Sequence, residues 1–408
     1  MLTVPHVVSL KAGTAPSERI TMGAIGLGNQ GLHNLRSFLT FPDVRVLAVC
    51  DVDAGHRARA KETVDDAYGN RDCTGYNDFR EVLARRDIDT VLIATPDHWH
   101  AILSIEAAKA GKDIYCEKPI SLTIAEGRAV ADTMKRLGTV YQSGTQRRSI
   151  ASFRFGVDAA RSGMLGKLQT LHCYYDKGPV CPPQRAEPVP AGFDYDRWLG
   201  PAPFEPYTPL RCHGNFRWQY DYSGGQLTDL GAHFADLAQW AHGTEDTSPT
   251  HYEGWAEFPK NGLYDTPVRF EVIATYPDGV KMIMHDQTEP GRGPRGNKYV
   301  GTDGWVSVDD TGKVTASRDA ILRKLTATQH GYEYMEGHHR DFLSCVRTRA
   351  RTIASPEVAH RSTTTCHVAN ICLRLGRHVS WDPQAERFVN DPEADKMISR
   401  PMRQPWHL

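Results

Sequence analysis

Residues 20–31 read ITMGAIGLGNQG, an apolar run that passes directly into a glycine-rich turn. The run Ile20–Gly26 has the character of a buried strand, and an amphipathic helix is expected near Gln30–Thr40. In the spacing G-x-G-x-x-G, Gly26 permits the tight turn and Gly28 lets a ligand approach the backbone. Gly31 lets helix and strand pack closely. A helix that opens after such a turn presents free N–H groups and the positive end of its dipole, a site for a pyrophosphate. Alone the glycine pattern is weak. It gains weight from Asp51, which ends the next apolar run, VRVLAVCD (44–51), twenty residues after Gly31. An acid at that place hydrogen-bonds an adenosine ribose. Its charge repels a 2′-phosphate, so NAD is expected and NADP is less favoured.

Further strand-like runs follow at Thr90–Thr95 (TVLIAT), Asp113–Glu117 and Val140–Gly144, five in all, with helical patterns between them. HAILSIEAAKAG (100–111) stops at Gly111, as a helix C-terminus does. Continuous apolar strands alternating with helices predict a parallel, doubly wound sheet. After about residue 150 the pattern changes. Leu168–Asp176 alternates like a half-buried strand, and a Pro-rich, irregular stretch spans 179–209. Two hairpins are expected, Phe270–Tyr276 with Val280–His285, and Trp305–Val308 with Lys313–Ala316. Helical patterns lie at 226–242, 332–347 and 356–376. The fold class is therefore α/β plus α+β, a Rossmann domain followed by a domain with an open, mostly antiparallel sheet covered by helices. The expected boundaries are 1–19 for an N-terminal extension, 20–148 for the dinucleotide-binding domain and 149–408 for a substrate-binding and oligomerisation domain.

Composition excludes several classes. The 408 residues carry 48 Lys+Arg against 49 Asp+Glu, so no long-range field favours nucleic acid or an anionic membrane. No run approaches the roughly 20 apolar residues of a membrane span. The nine cysteines include no Cys-x-x-Cys pair, which argues for reduced thiols and against a disulfide framework or a metal site. The first nineteen residues lack a basic region and an apolar core. A cytoplasmic protein is expected as the sequence stands, and a periplasmic one if an export signal was removed.

Two segments sit at expected strand ends, TPDHWH (95–100) and EKP (117–119). Ligands of open parallel sheets bind beyond the carboxyl ends of the strands. Thr95, Pro96, His100, Glu117 and Lys118 thus face the cofactor crevice together with Gly26, Gly28, Asn29, Gln30, Gly31 and Asp51. Pro119 forces Lys118 out of the helical region. Beside a cationic nicotinamide, the lysine ammonium is expected to lose proton affinity and to serve as acid or base. An exposed surface lysine is the bland alternative. In SGGQLTDLGAHFADLAQW (223–240), Asp229 and His233 stand four apart on one helix face. The pair is compatible with an acid orienting a proton-shuttling imidazole, with an exposed helix pair, or with two metal ligands. No third ligand is near in sequence, and no metal is expected. His98, Trp99, Gln146, Arg147 and Trp218, the last beside Arg217, are candidate substrate contacts, each with a packing or solvated-charge alternative. His338 and His339 are read as core or helix-surface residues.

GLGNQG, TPDHWHA, CEKP, GTQRRS and GGQLTDLGAHFADLAQW occur in this order, and together they resemble the Gfo/Idh/MocA family of glucose–fructose oxidoreductase and inositol dehydrogenase. The ending, from His367 to Trp406, is similar to bacterial members with a longer C-terminal domain. The resemblance implies that Lys118 is the catalytic lysine, that Asp229 and His233 are its partners, and that the substrate is a sugar, glycoside or cyclitol hydroxyl. It also implies homodimers or homotetramers built through the C-terminal sheet. In the mechanism so implied, His233 takes the hydroxyl proton, oriented by Asp229, and Lys118 stabilises the alkoxide; His233 and Lys118 are both candidates for the base. A glycosidase that uses NAD without net redox, and a non-catalytic NAD sensor, are the competing functions.

Overall fold

The glycine turn sits where the expected strand meets the expected helix. The computed structural model describes residues 18–286, 293–323 and 336–408. The extension up to residue 17, and residues 332–335 of one helical pattern, lie outside them. Strand β1 (Ile20–Ile25) is buried almost throughout, and the helix Asn29–Leu39 follows the turn. Strands β2 (Val44–Cys50), β3 (Thr74–Tyr76), β4 (Thr90–Ile93), β5 (Asp113–Cys116) and β6 (Tyr141–Ser143) join β1 in one sheet, in the order β3-β2-β1-β4-β5-β6. Every neighbouring pair is parallel. The sheet has six strands where the sequence suggested five. The addition, β3, is three mostly exposed residues centred on Gly75, with no apolar run to announce it. The strand order reverses between β1 and β4, which opens the crevice of a doubly wound sheet at Gly26 and Thr95.

The second half forms a nine-stranded sheet. Its strands are β7 (Leu168–Tyr175), β8 (His251–Glu257), β9 (Arg269–Thr275), β10 (Lys281–Asp286), β11 (Gly296–Gly301), β12 (Gly304–Asp309), β13 (Val314–Ala316), β14 (Val379–Asp382) and β15 (Arg387–Phe388). They run in the order β13-β12-β11-β7-β10-β9-β8-β14-β15, antiparallel except for the β10–β7 pair. Both expected hairpins are present, as β9–β10 and β12–β13. Strand β9 alternates buried and half-buried residues, because among the described residues the helices pack on one face of the sheet. The helices Ala151–Arg161, Gly231–His242 and Pro356–Leu375 supply that cover and share one core with the sheet.

The chain then returns to the first sheet. Phe342, Leu343 and Cys345, on the helix Glu336–Thr348, are buried in the same cluster as Phe38 and Tyr115. Trp406 packs edge-on against Trp99 with ring centroids 4.7 Å apart. A segment near residue 193 also pairs with the edge of the crevice. The Ala54 N–H donates to the Gly192 carbonyl at 2.9 Å, and the Asp194 N–H donates to the Val52 carbonyl at 3.0 Å. Burying a Phe or Leu contributes about 1.5–3 kcal/mol, so these contacts couple the two halves more firmly than surface ion pairs do.

One charged cluster reinforces the coupling. Arg128, on the helix Ile124–Leu137, donates to Glu357 at 2.8 Å and to Glu386 at 2.7 Å. Burial alone raises a carboxyl pKa. Arg128 outweighs it here, with Arg361 at Glu357 and His360 at Glu386, and both groups sit at about 2 instead of 4.5. Carboxylates held below their unfolded value stabilise the fold at and above pH 4.5, and that stability is lost as pH falls towards about 2. Replacing Arg128→Met should move the acid-unfolding midpoint, followed by near-UV circular dichroism, to higher pH. It should also cost about 1 kcal/mol near neutral pH, a small value because Glu357 is partly exposed. An unchanged acid midpoint would contradict this coupling.

Candidate active site

The carboxyl ends of β1, β4 and β5 meet residues of the second half around a cavity of about 460 Å³. Gly26, Gly28, Asn29, Gln30, Asp51, Thr95, Pro96, Trp99, Glu117, Lys118, Gln146, Arg147, Asp229 and His233 all line it. Residues more than a hundred apart in sequence thus share one wall.

The glycine turn has two kinds of constraint. Gly26 has φ +82°, and a Cβ there would meet the Thr95 nitrogen at 2.6 Å; at Gly31 a Cβ would meet the Gly26 carbonyl oxygen at 1.9 Å. Gly28 differs, since a Cβ there would touch only His56, at 3.9 Å. Packing does not demand glycine at position 28, but a side chain there would fill the cavity. The helix Asn29–Leu39 has no side-chain cap and no acid in its first turn, so its N-terminal N–H groups remain available to an anion. Asp51 accepts from the Leu27 N–H at 2.6 Å with one oxygen and from the Asp53 N–H at 2.8 Å with the other. These features fit a dinucleotide.

Deeper in the cavity, Glu117 is buried and accepts from Asn34 at 2.7 Å, Gln146 at 2.8 Å and Gln30 at 3.1 Å. It therefore ties the glycine-turn helix to the end of β5. The next residue faces the other half: the Lys118 Nζ donates to Asp229 Oδ1 at 2.5 Å and to the Asp229 carbonyl at 3.0 Å. The Lys118–Pro119 peptide is cis. Arg217 donates through Nε to the same Asp229 oxygen at 3.0 Å. Burial pushes the Asp229 carboxyl up, but Lys118 and Arg217 outweigh burial and hold it well below the usual range.

That arrangement alters the expected Asp229–His233 couple. The helix breaks at Leu230 into Gln226–Asp229 and Gly231–His242. Two cations compete for the carboxylate better than a neutral imidazole does, and Asp229 pairs with Lys118 and Arg217 instead of orienting His233. The His233 Nδ1 is buried, with no hydrogen-bond partner among the described residues. Burial first, and then the charges of Arg147 and Lys118, hold the imidazole well below its usual pKa of 6.5. It is therefore neutral, facing the cavity.

Other candidates fall differently. His98 does not line the cavity; its Nε2 faces the Trp198 carbonyl at 3.0 Å, and burial lowers its pKa to about 4. His100 does not line it either. Its ring nitrogens lie 2.6 Å from the Pro119 carbonyl and 2.8 Å from the Thr95 carbonyl, so it binds the two strand ends to each other. Trp99 lines the cavity but is held by packing against Trp406 and by an Nε1–H bond to the Trp198 carbonyl. Trp218 turns away, while its neighbour Arg217 faces in. Arg147 pairs with Asp310 at the cavity wall, and Arg148 is buried against Asp236 and Glu245. His338 and His339 are core residues.

Several cavity residues escaped the sequence reading. Asp97 is buried, lines the same cavity as the lysine, and accepts from the Ser223 hydroxyl at 2.5 Å. Burial first, and then the Asp229 charge, push its pKa up to about 7. In TPDHWH the aromatic neighbours masked it. At the far end, Asp53, His56 and His213 hold three possible metal-ligand atoms within 4.8 Å of one another. One Asp53 oxygen already caps the helix Ala54–Tyr68, and His56 lies against Asp51, which raises its pKa. No sequence spacing could signal His213, which arrives from the second half.

Known proteins share this architecture. Residues 20–145 match the model described as "Oxidoreductase family, NAD-binding Rossmann fold", and residues 182–408 match "Oxidoreductase family, C-terminal alpha/beta domain". The chain is 25% identical to the myo-inositol 2-dehydrogenase of Thermotoga maritima over 82% of this chain and 89% of that protein. A glycosyl hydrolase family 109 protein of Saccharopolyspora erythraea is 37% identical over 29% of this chain, which spans only 27% of that relative's length. A solved levoglucosan dehydrogenase in complex with NADH has the same fold, with a TM-score of 0.67 at 17% identity, covering 89% of this chain and 99% of that one.

The glycine geometry carries a prediction. Gly31→Ala forces a Cβ against the Gly26 carbonyl oxygen, so it should lower the melting temperature by several degrees. It should also weaken NAD binding, read by fluorescence titration, at least about tenfold, equivalent to about 1.4 kcal/mol. Wild-type affinity and melting in this variant would contradict the packing role.

Proposed function

The chain belongs to the Gfo/Idh/MocA oxidoreductase family, and on that premise we propose that it moves a hydride between a secondary hydroxyl of a sugar, glycoside or cyclitol and NAD. The observation that carries the reading is the Lys118–Asp229 contact of 2.5 Å, made across a cavity whose opposite wall is the glycine turn. When bound, the nicotinamide supplies the hydride acceptor. The residues that would hold the dinucleotide are the turn Gly26–Gly31 and the N-terminus of the following helix, with Asp51 at the adenosine ribose. The carboxylates of Asp51 and Asp53 disfavour a 2′-phosphate, which supports NAD over NADP.

On this reading the chain's own groups handle the proton. The Lys118 Nζ hydrogen-bonds the reacting hydroxyl and receives its proton as the C–H bond breaks. Asp229, kept ionised, holds the ammonium that results. The neutral His233 imidazole faces the same hydroxyl and serves as a second acceptor. Arg217 contributes positive charge that favours alkoxide character. All nine cysteines are free and buried, which suits a reducing, cytoplasmic setting. Among the described residues no helix is long and apolar enough to cross a membrane. The uncovered face of the nine-stranded sheet, where Trp255 is 40% exposed, supports association into a homodimer or homotetramer.

The test is a panel of polyols, free sugars and nitrophenyl glycosides, with and without added NAD or NADP. Accumulating NADH supports the dehydrogenase. Nitrophenol release without accumulating NADH supports the NAD-using glycosidase, which the partial match to family 109 hydrolases keeps in view. Lys118→Ala and His233→Ala should each lower kcat by about 100-fold or more, with NAD affinity little changed. Full turnover in both variants would refute the assignment.

A further inference from the structure

Lys118 meets its candidate substrate already paired, which poses the question of where its proton goes. Two cations, Lys118 and Arg217, share the single carboxylate of Asp229. A second carboxylate lines the same cavity: Asp97, 4% exposed, on the first turn of the helix Asp97–Lys109. Its Oδ2 accepts from Ser223, itself fully buried, at 2.5 Å. The charges that act on it are those of Asp229, Arg217 and Lys118, which are joined to one another. The Cys116 thiol, at the end of β5, is pushed up by burial and stays neutral.

We propose that Asp97 is the proton store of the site, taking from Lys118 the proton that must leave before the lysine can accept one from substrate. The proposal rests on the hydride-transfer reading and extends it. Charge counting supports it. With Asp97 and Asp229 ionised, and Lys118 and Arg217 protonated, the group of four is neutral. Passing one proton from the Lys118 Nζ to Asp97 leaves it neutral, so the step carries no penalty for burying a net charge. The freed amine then takes the substrate's hydroxyl proton while hydride leaves its carbon for NAD⁺. The group gains one positive charge as the cofactor ring loses one. Release of the Asp97 proton to solvent restores the start. With the Asp97 carboxyl at about 7, the store fills and empties near neutral pH. Asp97 acts through Lys118 and is a positioning residue for the proton, not a contact of the substrate.

Two measurements decide it. Infrared pH-difference spectra of the protein alone should show a carboxylic acid titrating near neutrality that is missing in Asp97→Asn. The buried Glu126 carboxyl, also raised to about 7, should give a second band that survives in that variant and is lost in Glu126→Gln. In steady-state oxidation, wild-type kcat should fall on the acid side of about pH 7. Asp97→Asn should lose that limb and about tenfold or more of kcat, with NAD affinity unchanged. Ser223→Ala keeps the carboxylate but removes a bond that favours its charged form, so it should move the limb to higher pH. It also serves as the test should Asp97→Asn fold poorly. An Asp97→Asn enzyme with wild-type limb, rate and infrared spectrum overturns the proposal alone. A wild type that oxidises no polyol overturns the hydride reading, and the proposal with it.

Discussion

A single carboxylate holds the two halves of the site together. Asp229 sits at the end of a one-turn helix and receives Lys118 from one domain and Arg217 from the other. Without it, two partly buried cations would share the cavity with no carboxylate between them. With it, the lysine at the end of β5 has a fixed direction and the cavity acquires its second wall. Glu117, the preceding residue, points the other way and fixes the glycine-turn helix. The adjacent Glu117 and Lys118 thus reach two different parts of the cavity wall, the glycine-turn helix and Asp229.

The surrounding charges divide the cavity. Asp51 and Asp53, with His56 and His213, occupy the end beside β2. Lys118, Arg217 and Arg147 occupy the end beside the second domain, offset by Asp229, Asp97 and Asp310. Neutral His233 completes that end. A polyol hydroxyl is suited to such a place, since it needs donors and acceptors close together and a nearby cation as its charge develops.

The sequence discloses those parts of the fold and site that depend on local backbone. GLGNQG states its turn because only glycine allows φ +82° at Gly26 and backbone contact at Gly31. The runs of β1, β2, β4 and β5 are apolar because both faces of their sheet are covered. Strand β3 carried no such run and passed unnoticed, as did β14 and β15, whose short pairings are made only in the assembled sheet. Side-chain partners were less legible. Asp229 and His233 are four apart, but the carboxylate's partner comes from residue 118, and no sequence period encodes that. His98 and Trp218 do not line the cavity, while their neighbours Asp97 and Arg217 do. Which of two adjacent residues points inward depends on the phase of a turn, and composition does not report it.

In the proposed mechanism Lys118 and Asp229 act as one unit in proton transfer. A double-mutant cycle on kcat/KM for NAD-dependent polyol oxidation tests it most directly, using Lys118→Met, Asp229→Asn and the pair together, with NAD affinity measured in each. Strong non-additivity is expected, the double variant being hardly slower than the worse single variant, as for residues that act together. Losses that simply add, or an Asp229→Asn enzyme with wild-type kcat/KM, would contradict it.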